Sequence, residues 1–388
     1  MKLILSVEAL QPSLSGIGRY TWELAHRLPV AHSVESVRFY SNGRWIADPA
    51  ALLTPPDKAG LRRKRGIRWP RALAAFAQRF DCRGQLFHGP NYFLPPRVDV
   101  GVITVHDLSV FSFPETHPAE RIRHFERDFA ASLQRAAHVI TDSNAVRNEF
   151  IARFGWSLDR VTTVPLGVSA AFAPRDEVAC RPVLMRYGLT HGGYVLCVST
   201  LEPRKNIARL LEAWMVLPEA VRRSCKLVLA GGKGWLSEAL QARIEAAEAQ
   251  GWLRYLGFVP EVDLPMLYAA ARLFVYPSAY EGFGLPVLEA MASGVPVVSS
   301  NRSCLPEVAG GAAALVNPDD IDSLALAIRR GLEDADWHAR ASQQGLAVAA
   351  GYSWGKCLAE TCAVYRRVLG VPDVLGVPGD SDRAGMAV

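Results

Sequence analysis

Two parallel-sheet α/β domains in series, with a cleft between them, are predicted by three features of the sequence. Short apolar runs alternate with helical stretches along the chain, the pattern of strands covered by crossover helices. The alternation begins afresh after a joint around Pro165 to Pro182, punctuated by Pro165-Leu166-Gly167-Val168 and Phe172-Ala173-Pro174-Arg175. With 388 residues, half of them apolar, each half is long enough to enclose its own core.

In the first half, strands are expected near residues 2–8, 36–41, 85–88, 101–105, 137–141 and 161–164, and helices near 17–28, 71–80, 119–135 and 143–154. In the second, strands are expected near 194–199, 226–230, 253–256, 272–276, 296–299 and 313–316. The helices between them fall near 206–217, 235–250, 263–271, 284–293 and 320–333, and a last one spans Trp354 to Leu369. The tail after Gly370 is rich in Gly, Pro and Asp and is expected to be mobile. The expected domains are therefore 1–170 and 171–350, followed by a terminal helix within 351–370 and a tail over 371–388.

Composition narrows the function. No apolar run reaches the roughly 18 residues that cross a bilayer. Met1-Lys2-Leu3-Ile4-Leu5-Ser6-Val7-Glu8 lacks the length and cleavage site of a signal peptide and reads as a first strand. Seven cysteines, an odd number without a Cys-x-x-Cys pair, suggest neither a disulfide framework nor a zinc site and suit a reducing cytoplasm. The net charge of +5 suits an anionic ligand or membrane surface. Leu61-Arg62-Arg63-Lys64-Arg65-Gly66-Ile67-Arg68-Trp69-Pro70-Arg71 reads either as a solvated loop or as peripheral docking on an anionic membrane, with Trp69 as an interfacial anchor. No nucleic-acid motif accompanies this charge.

The stretch with most chemistry runs from Ser278 to Pro296. It joins an apolar strand to a short helix, and Glu281 and Glu289 stand in it with seven residues between them. Gly282 and Gly284 permit a tight turn and close backbone approach to a ligand. Pro286 suits the first helical turn, and Gly294 with Pro296 ends the helix. A helix N-terminus favours a phosphate, and the staggered carboxylates can accept hydroxyls at two ends of an extended ligand. By itself the pair is equally compatible with an acidic turn and an exposed helix glutamate.

Other strand ends carry candidates. Gly16-Ile17-Gly18 follows the first strand and can present amides to a phosphate, although such turns also need glycine for packing. His106 and Asp107 follow an apolar strand at the end where open α/β sheets present ligands. A histidine there is either a packed residue or a hydrogen-bond donor to a ligand. Thr200-Leu201-Glu202-Pro203-Arg204-Lys205-Asn206 also follows a strand, with Asn206 as the expected N-cap and Arg204 and Lys205 as diphosphate ligands at the helix entrance. Gly231-Gly232-Lys233-Gly234 and Tyr255-Leu256-Gly257-Phe258-Val259-Pro260 end two further strands, and Leu256, Phe258 and Val259 could wall a base or simply pack. No His/Asp/Glu set stands at metal-ligand spacing, so phosphate charge falls to Arg204, Lys205 and helix ends, with neither metal nor cofactor expected.

The run Tyr280-Glu281-Gly282-Phe283-Gly284-Leu285-Pro286-Val287-Leu288-Glu289-Ala290-Met291-Ala292 resembles the signature of retaining glycosyltransferases of family 4. The Arg204-Lys205-Asn206 run and Pro306-Glu307-Val308-Ala309-Gly310-Gly311 resemble further segments of that family. The resemblance implies the GT-B fold, two Rossmann-like domains across a cleft, with the terminal helix crossing back onto the first. It implies a donor domain in which Glu289 meets the ribose, Arg204 and Lys205 the diphosphate, and Glu281 the sugar. Thr200, Val259, Gly282, Phe283, Gly284 and Leu285 complete the implied substrate site. The first domain is implied to bring His106, Gly16, Gly18 and Asp107, with most of the acceptor surface.

The implied reaction retains configuration at the anomeric carbon. Phe87-His88-Gly89-Pro90-Asn91-Tyr92-Phe93-Leu94-Pro95-Pro96 resembles bacterial mannosyl- and rhamnosyltransferases of O-antigen assembly. That implies mannose or D-rhamnose from a GDP-sugar and a lipid-linked oligosaccharide or related glycan acceptor. A sugar-nucleotide epimerase, a sucrose-type synthase and a non-catalytic two-lobed binder are the alternatives.

Overall fold

The computed structural model describes residues 1–14, 16–54, 82–234 and 238–372. The basic stretch 61–71, the helix expected near 71–80 and nearly all of the tail lie outside the described residues.

The first sheet contains β1 (Lys2–Ser6), β2 (Ser36–Ser41), β3 (Arg44–Ile46), β4 (Leu86–Gly89), β5 (Val100–Val105), β6 (Ala136–Thr141) and β7 (Val161–Thr163), in the order β3-β2-β1-β4-β5-β6-β7. All pairings are parallel except β2 with β3. The second sheet contains β8 (Tyr194–Val198), β9 (Lys226–Ala230), β10 (Leu253–Tyr255), β11 (Leu273–Tyr276), β12 (Val297–Ser300) and β13 (Ala314–Val316). Its order is β10-β9-β8-β11-β12-β13, parallel throughout. Strands buried on both faces need no polar alternation, which is why Leu3, Ile4 and Leu5 or Leu273, Phe274 and Val275 are apolar in unbroken runs.

The helices Glu219–Ser224 and Ala335–Ala349 match no expected element, and three further differences from the sequence expectation have a local physical reason. β3 is an antiparallel edge strand reached through an Asn42-Gly43 turn with φ of 48° and 80°. An Asn-Gly pair supplies the two left-handed residues that a two-residue hairpin requires. The helix Glu177–Tyr187 crosses the end of the expected joint and contains Pro182. Asp176 accepts from the Ala179 N–H at 2.8 Å and Gly188 closes the helix at φ 66°, so strong end signals override one internal proline. Asn206 occupies the N-cap position of the helix Ile207–Val216 but lies at φ 59° and does not cap it. Its amide donates to the Pro318 carbonyl at 2.7 Å, because the left-handed backbone turns the side chain away from the helix.

One apolar core runs from Leu3 and Leu5 through Leu166, Phe172 and Trp354 to Tyr276 and Leu288, while two others fill the outer faces of the sheets. The helix Trp354–Leu369 packs on the first sheet, where the Tyr365 hydroxyl lies 2.6 Å from His88 Nδ1. Its entry is tight: a Cβ at Gly167 would overlap the backbone of Ser353 and Trp354. In both sheets the carboxyl ends of the central strands point toward the same cleft, because each crossover between parallel strands carries the chain back to the amino-terminal end of the sheet before the next strand starts.

Candidate active site

Glu281 is the electrostatic centre of the cleft. It follows β11 by a short loop, and the residue is only 7% exposed. Lys205 Nζ donates to Oε1 at 2.6 Å, the Tyr276 hydroxyl donates to the same oxygen at 2.8 Å, and Arg204 Nη1 reaches Oε2 at 3.3 Å. Arg204 also donates to the Tyr280 carbonyl at 2.8 Å and lies 3.4 Å from the Glu202 carboxylate. Burial pushes the Glu281 carboxyl up, but Lys205 and Arg204 outweigh it and hold the pKa at about 2. Burial pulls the Arg204 guanidinium down, and Glu281, Asp107 and Glu202 more than reverse this. Sequence alone placed the two cations and this acid separately; the fold makes them one network.

The two glycines after Glu281 serve different ends. Gly284 has φ 97° and forms the N-cap of the helix Leu285–Ala292, with Pro286 in its first turn. Gly282 is required for space: a Cβ there would overlap the His106 carbonyl oxygen on the facing lobe. Glu289 lies within that helix, 7% exposed, at the far end of the same cavity. Burial raises its carboxyl to about 7, with the nearby Arg19 pulling the other way. A folded pKa above the unfolded 4.5 favours the protonated form. The stability it contributes is complete below pH 4.5 and is lost as pH rises through 7. Glu289→Gln, which keeps the neutral shape, is therefore expected to raise the melting temperature by a few degrees at pH 8 and hardly at pH 4.5, as read in thermal melts.

On the first lobe, His106 and Asp107 follow β5 directly. His106 is buried, with Nδ1 2.6 Å from Asp142 Oδ2 and Nε2 2.7 Å from the Pro90 carbonyl oxygen. Burial lowers its pKa, but Asp142 wins and leaves it raised. Both ring nitrogens thus have protein partners, so the ring is fixed and its backbone carbonyl faces Gly282. Asp142 Oδ1 is buried with no hydrogen-bond partner among the described residues, and Asp142 lines the cavity. Asp107 accepts from the Ser109 N–H at 2.9 Å and from its hydroxyl at 2.7 Å.

A cavity of about 360 Å³ collects most of the expected residues: Gly16, His106, Asp107, Thr200, Lys205 and Val259. The Glu281–Leu285 run and Glu289 also line it, as do Phe258, Gly231 and Gly232. Leu256 is not among the lining residues. Gly18 is buried inside the helix Gly16–Arg27 rather than exposed in a loop, since that helix starts at Gly16. Arg204 faces a second cavity of about 730 Å³, with Asn91, Phe93, Ser109 and Phe125 on its first-lobe wall. Gly16, Ile17, Asp107, Thr200, Lys205 and Glu281 line both. The junction of the two spaces is therefore Glu281 with Lys205 on one side and Asp107 on the other. Three residues here were not singled out in the sequence: Arg19, Tyr276 and Asp142. Arg19 directly follows the Gly16-Ile17-Gly18 run, and Asp142 directly follows β6, a signal of the same kind as His106 after β5.

Two facing lobes thus enclose a basic pair locked on an acid where two cavities meet. The family model described as "Glycosyltransferase Family 4" matches residues 14–172, and that described as "Glycosyl transferases group 1" matches 190–347. O-antigen chain mannosyltransferase B of Escherichia coli is 40% identical over 379 residues, covering 94% of this chain and 100% of that protein. The chain belongs to the family 4 glycosyltransferases. A second relative, the O-antigen chain mannosyltransferase RfbU of Salmonella typhimurium, is 29% identical over 76% of this chain and 85% of its own length. Among solved structures, the sucrose-phosphate synthase of Thermosynechococcus elongatus superposes with a TM-score of 0.71 at 21% identity, covering 96% of this chain and all of that one. This likeness shows the GT-B fold.

In a glycosyltransferase the chemical demand is to stabilise a departing anion and a sugar that gains positive charge. The Lys205–Arg204 pair and the ionised Glu281 carry charges of the two signs that such a step calls for. Among the described residues no group of three or more His, Cys, Asp or Glu side chains could hold a metal ion. No helix among them is long and apolar enough to cross a membrane.

Proposed function

We propose that this glycosyltransferase moves mannose, or the related D-rhamnose, from a GDP-sugar to a lipid-linked oligosaccharide or similar glycan during O-antigen or exopolysaccharide assembly, with retention at the anomeric carbon. The observation that carries the reading is the Glu281–Lys205–Arg204 network at the meeting point of two cavities. The 40% identity to an O-antigen mannosyltransferase over its whole length supports the sugar and the setting. Cytoplasmic work on the inner membrane face, with the basic 62–71 stretch as a peripheral contact, belongs to the same reading.

In this scheme residues 1–170 carry the acceptor and 171–350 the donor, with 351–370 returning to the first lobe. Glu289 receives the ribose hydroxyls, Val259 borders the base, and Thr200 with the Gly282–Leu285 turn frames the diphosphate and sugar. Gly16 closes the donor space from the facing lobe, with Gly18 packed beneath it, and Asp107 faces the acceptor hydroxyl. Arg204 and Lys205 exchange part of their hold on Glu281 for the diphosphate, and the anion that leaves accepts the acceptor proton on the same face of the sugar. His106 acts through its fixed backbone at the sugar, since both ring nitrogens are engaged. Glu281, already held by three donors, stabilises positive charge rather than forming a bond; a trapped glycosyl adduct on Glu281 would overturn that.

A thermal-shift panel of GDP, UDP, dTDP and ADP without added metal tests the donor. A ligand at a hundred times its dissociation constant stabilises by roughly 2.7 kcal/mol. The largest shift is expected with GDP. No response to any of the four would overturn the nucleotide-sugar reading, and a larger response to another nucleotide would replace the base.

A further inference from the structure

One polar contact between the lobes lies outside both cavities. The helix Asn144–Phe154 of the first lobe points its N-terminus at the second. Its first amides have no partners within the helix and favour a negative charge. Glu307, on the short helix Leu305–Ala309 of the other lobe, supplies it. Oε1 accepts from the Asn144 N–H at 2.9 Å and from Asn144 Nδ2 at 3.0 Å, and Oε2 accepts from the Ala145 N–H at 3.2 Å. Ser143, the N-cap of the same helix, donates from its hydroxyl to the Gly282 carbonyl at 2.7 Å.

Further along that helix, Glu149 accepts from the Tyr280 hydroxyl at 2.7 Å, and that hydroxyl accepts from the Leu108 N–H at 3.0 Å. The carbonyl of Glu281 is held in turn by the Ser303 hydroxyl and the Cys304 thiol, immediately before Glu307's own helix. Tyr280 and Gly282, on either side of Glu281, are thus tied to the opposite lobe, while Glu281's backbone is tied to the segment carrying Glu307. Separating the lobes would break every cross-lobe tie in this set at once and free the loop that aims the Glu281 carboxylate.

We propose that Glu307 and Tyr280 are positioning residues that latch the lobes over the Glu281–Gly282 loop, so that the activated sugar meets the acceptor hydroxyl and not water. The latch rests on the sugar-transfer reading but not on the identity of the nucleotide. In chemical terms, the anomeric carbon breaks its bond to the diphosphate oxygen in either case. The oxygen that forms the new bond comes from the glycan when the latch is shut and from water when it is loose, and the proton goes to the leaving diphosphate.

The test uses the full chain with GDP-mannose and a mannose-terminated lipid-linked oligosaccharide, measuring glycan product and free mannose together. Glu307→Ala and Tyr280→Phe are expected to lower the ratio of transfer to hydrolysis by about tenfold. Glu307→Gln, which keeps an acceptor oxygen, should fall between wild type and Glu307→Ala, and the thermal shift given by GDP should be unchanged in all three. Hydrogen exchange of the peptide containing Asn144 and Ala145 should quicken in Glu307→Ala. An unchanged ratio with unchanged exchange overturns the latch. Should wild type release nothing from GDP-mannose, the donor assignment fails and exchange alone decides: protection kept in Glu307→Ala overturns the latch, protection lost supports it.

Discussion

Replacing Arg204 and Lys205 together by alanine is expected to reduce sugar transfer by about four orders of magnitude, since each donor lost from a developing anion costs on the order of 10²–10³ in rate. The same double variant should be less stable, because Glu281 is left buried without a counter-charge, a defect that costs about 3–5 kcal/mol when one partner of a buried pair is removed. The pH dependence follows with its sign. In the wild type the Glu281 carboxyl sits at about 2 against an unfolded 4.5. Its stabilising contribution is therefore complete above pH 4.5 and is lost as pH falls toward 2. In the double variant burial opposes ionisation of Glu281 with only the Tyr276 and Ser278 hydroxyls left to offset it, so this contribution shrinks.

A triple variant separates folding from chemistry. Arg204→Ala/Lys205→Ala/Glu281→Gln removes the orphaned charge and is expected to regain most of the lost melting temperature while remaining inactive. Steady-state transfer assays beside thermal melts read both quantities. Full transfer in the double variant, or transfer restored in the triple, would contradict the role assigned to the cations.

Gly282→Ala should reduce kcat by about 100-fold, the size of effect that follows when reacting groups are held roughly 1 Å out of place. The added methyl would overlap the His106 carbonyl oxygen and crowd Asp107, so the lobes have to part to admit it. Nucleotide affinity should be nearly preserved, because Glu289, Val259 and Thr200 belong to the second lobe and do not move relative to one another. Gly188→Ala supplies a control. That glycine has φ 66° with open space around it, so its substitution costs local backbone strain and nothing at the cleft. A Gly282→Ala enzyme with wild-type kcat would show that transfer does not need the close approach of the His106 and Gly282 backbones.

Much of the architecture was readable because buried parallel strands must be apolar along their whole length. Lys226–Ala230 was placed at its observed limits for that reason, and the helix Trp354–Leu369 was marked by its Ser353 cap and Gly370 stop. β3 carried a signal that a reading for parallel strands passes over: its strand is short and its Asn42-Gly43 turn speaks for a hairpin. Pro182 misled in the opposite direction, since a proline reads as a break while the Asp176 cap and Gly188 stop fixed the helix around it. Asn206 stood where a cap belongs, but residue type does not report a φ of 59°.

From the chain alone came which residues stand at strand ends, Gly16, His106, Asp107, Thr200, Arg204, Lys205 and Glu281, with Glu289 in the helix that follows, each after an apolar run or a glycine turn that local rules recognise. What they do to one another was decided only by the packed lobes. Glu281 and Lys205 are separated by 76 positions and meet at 2.6 Å, and His106 and Asp142 by 36 positions and meet at the same distance. Local patterns fix backbone conformation over a few residues. A carboxyl's charge depends instead on burial and on cations brought from elsewhere in the chain. That is why Glu281 and Glu289, with seven residues between them on one signature, end with pKa values of about 2 and about 7.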